Sequence, residues 1–294
     1  MYQLCVSDCP RAITEKLEAL LEEAGALSVT MTDQYDDAIL EPELGTAPLW
    51  PHVVLQALFS TIAEGEHAMS RLLQHAPNID CNLQKLVEKD WERVSLEQFK
   101  PLRFGKRLWI CPSWMTPPEP TAVTLVLDPG LAFGTGTHPT TAHCLTWLEQ
   151  ADLLNKTVID YGCGSGILAL AAIQLGAAHV TAVDIDQQAL IATHNNAKAN
   201  HITDTQLTIG FPEILQAPVD LIIANILLAP LLTLQNQFLL RLKPGGMLIV
   251  SGILDEQVSQ LQQAYEPHFT PQETVLIDGW ALCVFQLGSA ATKG

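Results

Sequence analysis

Positive charge is scarce in this chain. Lysine and arginine number 15 against 32 aspartates and glutamates, a formal net charge of −17 at pH 7 over 294 residues. A surface of that sign repels a phosphate backbone and attracts a cationic partner, so no direct nucleic-acid substrate is expected. Taken alone, acidity also serves plain solubility. Long apolar runs are missing too. The most apolar stretch, Leu221 to Leu232, is broken by Asn225 and Pro230, and Met1-Tyr2-Gln3-Leu4-Cys5 has no basic segment followed by an apolar run. Neither export nor a membrane span is expected. The seven cysteines are an odd number without a C-x-x-C pair, Cys5 and Cys9 sharing only a C-x-x-x-C spacing, which fits neither a disulfide framework nor a zinc site. The expectation is a cytoplasmic monomer with reduced, mostly buried thiols and no bound metal. Internal repeats and low-complexity tracts are absent from the sequence.

What is present is enough chain for two domains, with 48% hydrophobic residues to fill two cores. From Thr157 the sequence alternates strand and helix signals. Thr157 to Tyr161 is apolar and β-branched, Ile167 to Leu175 is a helical run ended by Gly176, and His179 to Ile185 is a second strand. Gln187 to Asn200 reads as helix, Gln206 to Ile209 as a short strand and Val219 to Ala224 as a buried strand. Pro230 to Leu242 reads as helix, Lys243 to Gly246 as a turn into the strand Met247 to Ser251, and Asp255 to Tyr265 as helix. Thr274 to Ile277 and Trp280 to Gln286, joined by Asp278-Gly279, form a hairpin signal. The pattern predicts a mostly parallel α/β sheet that finishes in an antiparallel pair.

The first part has another rhythm. Strand signals at Tyr2 to Val6, Leu27 to Thr32, Val53 to Phe59 and Ile79 to Leu86 interleave with helices at Pro10 to Ala24 and Glu64 to His75, and an acidic loop covers Asp33 to Glu43. That is the βαββαβ order of a ferredoxin-like α+β domain. The segment Glu88 to Gly105, with Trp91, Phe99 and Phe104, reads as a linker with aromatic anchors. The domain division is therefore 1–88, a linker at 89–105, and 106–294.

The chemistry concentrates after the strand Val158-Ile159-Asp160-Tyr161, in the turn Gly162-Cys163-Gly164-Ser165-Gly166, with Asp184 lying 22 residues beyond Gly162. Glycines permit turn angles forbidden to other residues and let a ligand approach the main chain, while the following helix offers unpaired N–H groups. A carboxylate closing the next strand is placed to accept hydrogen bonds from ribose hydroxyls. A dinucleotide fingerprint would need its third glycine at 167, where Ile167 stands, so pyrophosphate binding is disfavoured. The G-x-G-x-G form with its downstream acid resembles motifs I and II of class I S-adenosylmethionine-dependent methyltransferases, which implies their Rossmann-like fold. Upstream, Asp128 to Thr141 is a loop dense in glycine and hydroxyls that precedes a helix, and downstream Asn225 ends a strand where the crevice of such a sheet lies.

Taken together, the 128–141 loop, Asp160 to Gly166, Asp184-Ile185-Asp186, Asn225-Ile226-Leu227 and Arg107 to Trp114 resemble the bacterial PrmA-type methyltransferases of the eleventh protein of the large ribosomal subunit. The resemblance implies an N-terminal recognition domain, a linker and a methyltransferase domain. It further implies methyl transfer from S-adenosylmethionine to lysine side chains and the N-terminal amine of a large-subunit ribosomal protein, free or on the ribosome. Carried over by position, the cofactor contacts are Thr141, Gly162, Asp184 and Asn225, with Gly164 in the same turn and Phe133 in the loop, and Asn225 is also the catalytic candidate. One departure is visible: Asp90 to Leu96 has Ser95 where this family carries a second tryptophan.

Plainer readings stand beside these. Asp184 could cap the helix beginning near Asp186, Thr140 and Thr141 could be N-cap hydroxyls, and His138 reads equally as a base or as a structural residue. Asn225 lacks the Pro-Pro-aromatic sequence that follows Asn or Asp in methyltransferases of adenine or glutamine amides. Since no acid–base pair is evident, catalysis by positioning is expected, with Asn225 and the Phe133 to His138 loop as walls. A nucleotide-dependent oxidoreductase on a related sheet and a non-catalytic ligand-binding regulator are the competing functions.

Overall fold

The computed structural model describes residues 1–35, 49–86, 99–119, 121–128 and 136–288. The chain divides into two compact units, Met1–Trp91 and Glu92–Gly294. In the first, β1 (Tyr2–Pro10), α1 (Arg11–Glu23), β2 (Ser28–Asp33), β3 (His52–Phe59), α2 (Ile62–His75) and β4 (Asp80–Lys85) follow the expected βαββαβ order. The sheet runs β2-β3-β1-β4 with every pair antiparallel, the ferredoxin-like topology. Alternation selects its inner face: Val53, Leu55, Ala57 and Phe59 are buried and pack with Leu17 and Leu21 of α1 and Leu72 of α2. α2 starts two residues before the Glu64 that sequence suggests. Thr61 Oγ1 accepts from the Glu64 amide while the Glu64 carboxylate accepts from the Thr61 amide, a capping box that stabilises by about 1 kcal/mol. Residues 36–43 of the acidic loop lie outside the described residues.

The second unit opens with β5 (Leu102–Phe104), β6 (Leu108–Cys111) and β7 (Val123–Val126), a small sheet of order β5-β6-β7. The end of the expected linker is therefore a strand, and Phe104 is buried in this unit's core beside Leu108, Ile110 and Leu125. Three residues are too few to display a period, which is why the segment reads as loop. The rest of that linker, 89–98 with Trp91 and Ser95, lies outside the described residues.

α3 (Pro139–Gln150) then leads into β8 (Thr157–Tyr161), α4 (Ile167–Gln174), β9 (His179–Val183), α5 (Gln187–Ala199), β10 (Leu207–Gly210), β11 (Val219–Asn225), α6 (Leu228–Arg241), β12 (Leu242–Leu254), α7 (Val258–Tyr265), β13 (Phe269–Ile277) and β14 (Trp280–Leu287). The seven-stranded sheet has order β10-β9-β8-β11-β12-β14-β13. It is parallel except for β14, which runs antiparallel to both neighbours. Asp278 and Gly279 both have positive φ, as a two-residue hairpin turn of matching twist requires. α6 begins at Leu228 rather than Pro230, because a proline in the first turn has no intrahelical N–H bond to lose. β12 begins at Leu242, and Lys243 to Gly246 lies within its bounds as a bulge: Val219 pairs with Leu242 and Leu221 with Met247, and Gly245 takes φ of +79°.

Apolar layers cover both faces of this sheet. Val158 contributes to the layer shared with α3 and α4, and the next residue, Ile159, to the layer shared with Leu231 and Phe238 of α6 and Leu261 of α7. α4 is buried on all sides from Ile167 to Ile173, which explains its uniformly apolar sequence. All seven cysteines are free thiols, five of them buried. Among the described residues no helix is long and apolar enough to cross a membrane.

Candidate active site

β8 runs into the glycine turn, where Gly162, Gly164 and Gly166 take φ of +77°, +54° and +80°. At Gly162 a Cβ would lie 2.4 Å from Ile226 Cγ2, and at Gly166 2.7 Å from Thr193 Cγ2. Tight anchoring accompanies this close packing. The amides of Gly162 and Cys163 donate to the Val183 carbonyl at 2.8 and 3.0 Å, and the Gly164 amide donates to Asp184 Oδ2 at 3.0 Å. From α5, the fully buried Thr193 hydroxyl donates to the Gly164 carbonyl at 3.0 Å and Asn196 Nδ2 to the Ser165 carbonyl at 2.8 Å. Sequence reasoning missed both residues. The available signal was a hydroxyl within the buried helical stripe Ala189, Thr193, Ala197.

Asp184 follows β9 with both oxygens engaged, Oδ2 by Gly164 and Oδ1 by the Asp186 amide at 3.0 Å. The helix cap is Asp186, whose Oδ1 accepts from the Gln188 amide at 2.9 Å, so the capping alternative for Asp184 passes to its neighbour. Each Asp184 oxygen keeps a second acceptor position for a hydroxyl. Beside it, Ile185 is 84% and Phe211 46% exposed. Gly210 pairs with Val183, so these two apolar side chains leave adjacent strands at the same end of the sheet. Sequence reasoning passed over both, although an isoleucine between two aspartates is out of place on a polar turn.

β11 ends at Asn225, one residue past the Ala224–Tyr161 pair, and so delivers its side chain to the same crevice. Asn225 Nδ2 donates to Thr141 Oγ1 at 3.2 Å, joining the strand end to the first turn of α3. His138 caps that helix: its Nδ1 accepts from the Thr140 amide at 3.3 Å, and its ring meets Trp280 edge-on at 4.9 Å. Burial holds the His138 pKa below its usual value. The same Nδ1 lies 2.7 Å from Thr140 Oγ1, so both polar groups of Thr140 hold this ring nitrogen at the helix start. His138, Asn225, Ile226, Leu227, Gly252 and Trp280, with Thr140, line a pocket of about 300 Å³. Trp280 and Gly252 escaped the sequence reading, being brought here only by β14 and β12.

Under the turn, Asp160 is fully buried. Its Oδ2 accepts from the Ala169 amide at 2.9 Å and its Oδ1 has no partner. Burial pushes its pKa up to about 7, against the pull of the Ala169 amide and with a further push from Asp184. Gly162, Gly164, Asp184, Asn225 and Thr141 thus gather around the carboxyl ends of β8, β9 and β11. Phe133 lies outside the described residues, as does 129–135 as a whole.

A family model described as ribosomal protein L11 methyltransferase (PrmA) matches residues 2–287. A ribosomal protein L11 methyltransferase from Legionella pneumophila (strain Philadelphia 1) is 57% identical over 284 residues, 97% of this chain and 98% of that protein. One from Hahella chejuensis is 48% identical over 270 residues, 90% of this chain and 91% of that protein. Among solved structures, a ribosomal protein L11 methylase from Lactobacillus delbrueckii subsp. bulgaricus matches with a TM-score of 0.60 at 33% identity, covering 65% of this chain and all of that one.

Proposed function

The chain belongs to the ribosomal protein L11 methyltransferase family, and on that premise we propose that it transfers methyl groups from S-adenosylmethionine to ribosomal protein L11, at lysine side chains and the N-terminal amine. The observation that carries the site reading is the Asn225–Thr141 hydrogen bond beside the glycine turn. The residues present fit the cofactor. The turn at Gly162 to Gly166 gives close backbone approach, Asp184 keeps acceptors for a ribose diol, and the uncovered pair Ile185 and Phe211 offers an apolar surface to a flat heterocycle. When bound, S-adenosylmethionine supplies a methyl group activated by a sulfonium.

The protein then has two tasks, to present a neutral amine and to hold it in line. A lysine amine has an unperturbed pKa of about 10.4, and Ile226, Leu227 and Trp280 surround the pocket with apolar surface that disfavours its charged form. Because Asn225 donates through Nδ2 to Thr141, its Oδ1 is left to accept an amine N–H and aim the lone pair. Methylation places a positive charge on the nitrogen, which releases a proton to solvent before another transfer can follow. With the His138 Nδ1 committed to the helix cap, no side chain here needs to act as a strong base. Positioning of this kind supplies up to about 7–11 kcal/mol in well-oriented systems.

We further assign substrate recognition to the Met1–Trp91 unit and place the enzyme in the cytoplasm as a monomer, with L11 met free or on the ribosome. Mass spectrometry of purified L11 incubated with the enzyme and methyl-labelled S-adenosylmethionine tests the whole reading. Label on lysine and N-terminal nitrogens supports it. A folded enzyme that leaves L11 unlabelled sinks it.

A further inference from the structure

β13 is the last strand of its sheet, and among the described residues no strand pairs its outer edge. Proteins usually blunt such edges with proline, charge or a bulge. Here those devices sit in the first half, at Pro271 and at the register shift between Pro271 and Glu273. The second half ends in Leu276 and Ile277, 57% and 46% exposed, and carries none of them.

Beside this edge runs a groove of about 430 Å³ between one face of α3, with His143, Trp147 and Gln150, and the hairpin face of Glu273, Val275 and Leu282. Val275 and Leu282 are cross-strand partners, so the groove lies on a single face of the hairpin. It shares no residue with the pocket at Asn225. His143 is only 8% exposed, and both of its ring nitrogens are buried without a hydrogen-bond partner. Burial lowers its pKa, which leaves a neutral ring with one donor and one acceptor, the complement of an amide group. Such an unpaired buried group calls for a ligand or a rearrangement to satisfy it.

Charge selects the occupant. From Pro244 to Thr292 the chain has no lysine or arginine, while Asp255, Glu256, Glu266, Glu273 and Asp278 are acidic. Pairing two copies edge to edge would bring like charges together, whereas a basic segment is attracted. We propose that the β13 edge and its groove dock an extended, lysine-bearing segment of the protein substrate, which adds as a strand to β13 and presents an amide group to His143. In this mode main-chain hydrogen bonds give affinity and the neighbouring pocket gives specificity. The proposal rests on the substrate reading above.

The test uses the full chain and a Glu273→Lys, Leu276→Lys double variant, both positions being exposed and neither lining the pocket at Asn225. The expected result is a KM for L11 raised about tenfold or more, with kcat and the affinity for S-adenosylmethionine unchanged. Amide exchange in 272–278 should also slow when L11 is added to the wild-type enzyme in S-adenosylhomocysteine. An unchanged KM, or no added protection at the edge, overturns the proposal. Protection that grows with enzyme concentration without L11 assigns the edge to a second copy and overturns it equally. If the wild type transfers no methyl to L11, the substrate reading itself fails, a result visible before any variant is made.

Discussion

Asn225 and Thr141, 84 residues apart, are joined by a hydrogen bond from Asn225 Nδ2 to Thr141 Oγ1 at 3.2 Å. The contact locks the amide at the end of β11 against the first turn of α3 and leaves Oδ1 as its open acceptor, the atom that the proposed mechanism gives to the amine. Thr141→Val removes the acceptor while keeping the shape. A neutral hydrogen bond is worth about 0.5–1.5 kcal/mol, so kcat should fall roughly 2- to 13-fold with little change in cofactor affinity. Asn225→Ala should fall further, toward 100-fold, the scale of a misplaced reactant. Steady-state kinetics on L11 decide, and full activity in Asn225→Ala removes the residue from the mechanism.

Asp184→Ala should weaken S-adenosylmethionine binding by about 1.5–3 kcal/mol, the loss of a charged acceptor. The same carboxylate accepts from the Gly164 and Asp186 amides, so the melting temperature should drop as well. Calorimetry and thermal melts measure the two effects separately. Unaltered affinity in a folded variant would exclude the ribose role.

Gly162→Ala meets two penalties. Its φ of +77° costs a side chain about 1–2 kcal/mol, and a Cβ 2.4 Å from Ile226 Cγ2 forces overpacking of about 1–3 kcal/mol more. Adding Ile226→Ala should recover the steric part alone. A double-mutant cycle by denaturant unfolding that shows no coupling refutes this account.

Asp160 gives stability a pH dependence of definite sign. Burial raises its folded pKa to about 7, while an unfolded aspartate titrates near 3.9. Between those values the folded chain keeps a proton that the unfolded chain has released, so stability falls as pH rises through the window and the cost is complete above about 7. Asparagine stays neutral throughout. Relative to wild type, Asp160→Asn should therefore gain up to about 4 kcal/mol from pH 4 to 8, three units at about 1.4 kcal/mol each. Denaturation at pH 4, 6 and 8 reads this out, and a constant difference contradicts it.

Where the second unit begins also has a measurable consequence. A chain starting at residue 99 retains β5 and the buried Phe104, whereas one starting at 106 loses both. The shorter chain should be less stable by about 3–5 kcal/mol, the cost of deleting a core phenylalanine. If the first unit recognises the substrate, both chains should bind S-adenosylmethionine yet lose most turnover on L11. Equal unfolding midpoints would return 99–105 to the linker.

Much of this architecture is legible because its signals are local. The alternation from Val53 to Phe59 marks a strand with one buried face, Asp278-Gly279 can hardly be other than a hairpin turn, and Val158 to Gly166 declares a strand and the turn into a helix within nine residues. Local signals fail where an element is too short to repeat its period more than once or twice. β5 and β6, with three and four residues, exist through pairing with each other and with β7.

Outside the small sheet of β5, β6 and β7, the sequence by itself determined the order of strands and helices, the glycine turn and the residues with chemistry to offer, since each follows from backbone sterics and side-chain type over a few neighbours. Only the tertiary structure decided which of them meet. Thr193 and Asn196 reach the turn because α5 packs against it, and Trp280 and Gly252 reach Asn225 because β12 is laid beside β11 and β14 beside β12 in the sheet. That Asp186 rather than Asp184 caps its helix, and that His138 spends Nδ1 on Thr140, depend on hydrogen-bond angles set by the packed backbone. Such contacts join residues whose separation along the chain carries no periodic signal, so burial and register, not local preference, select them.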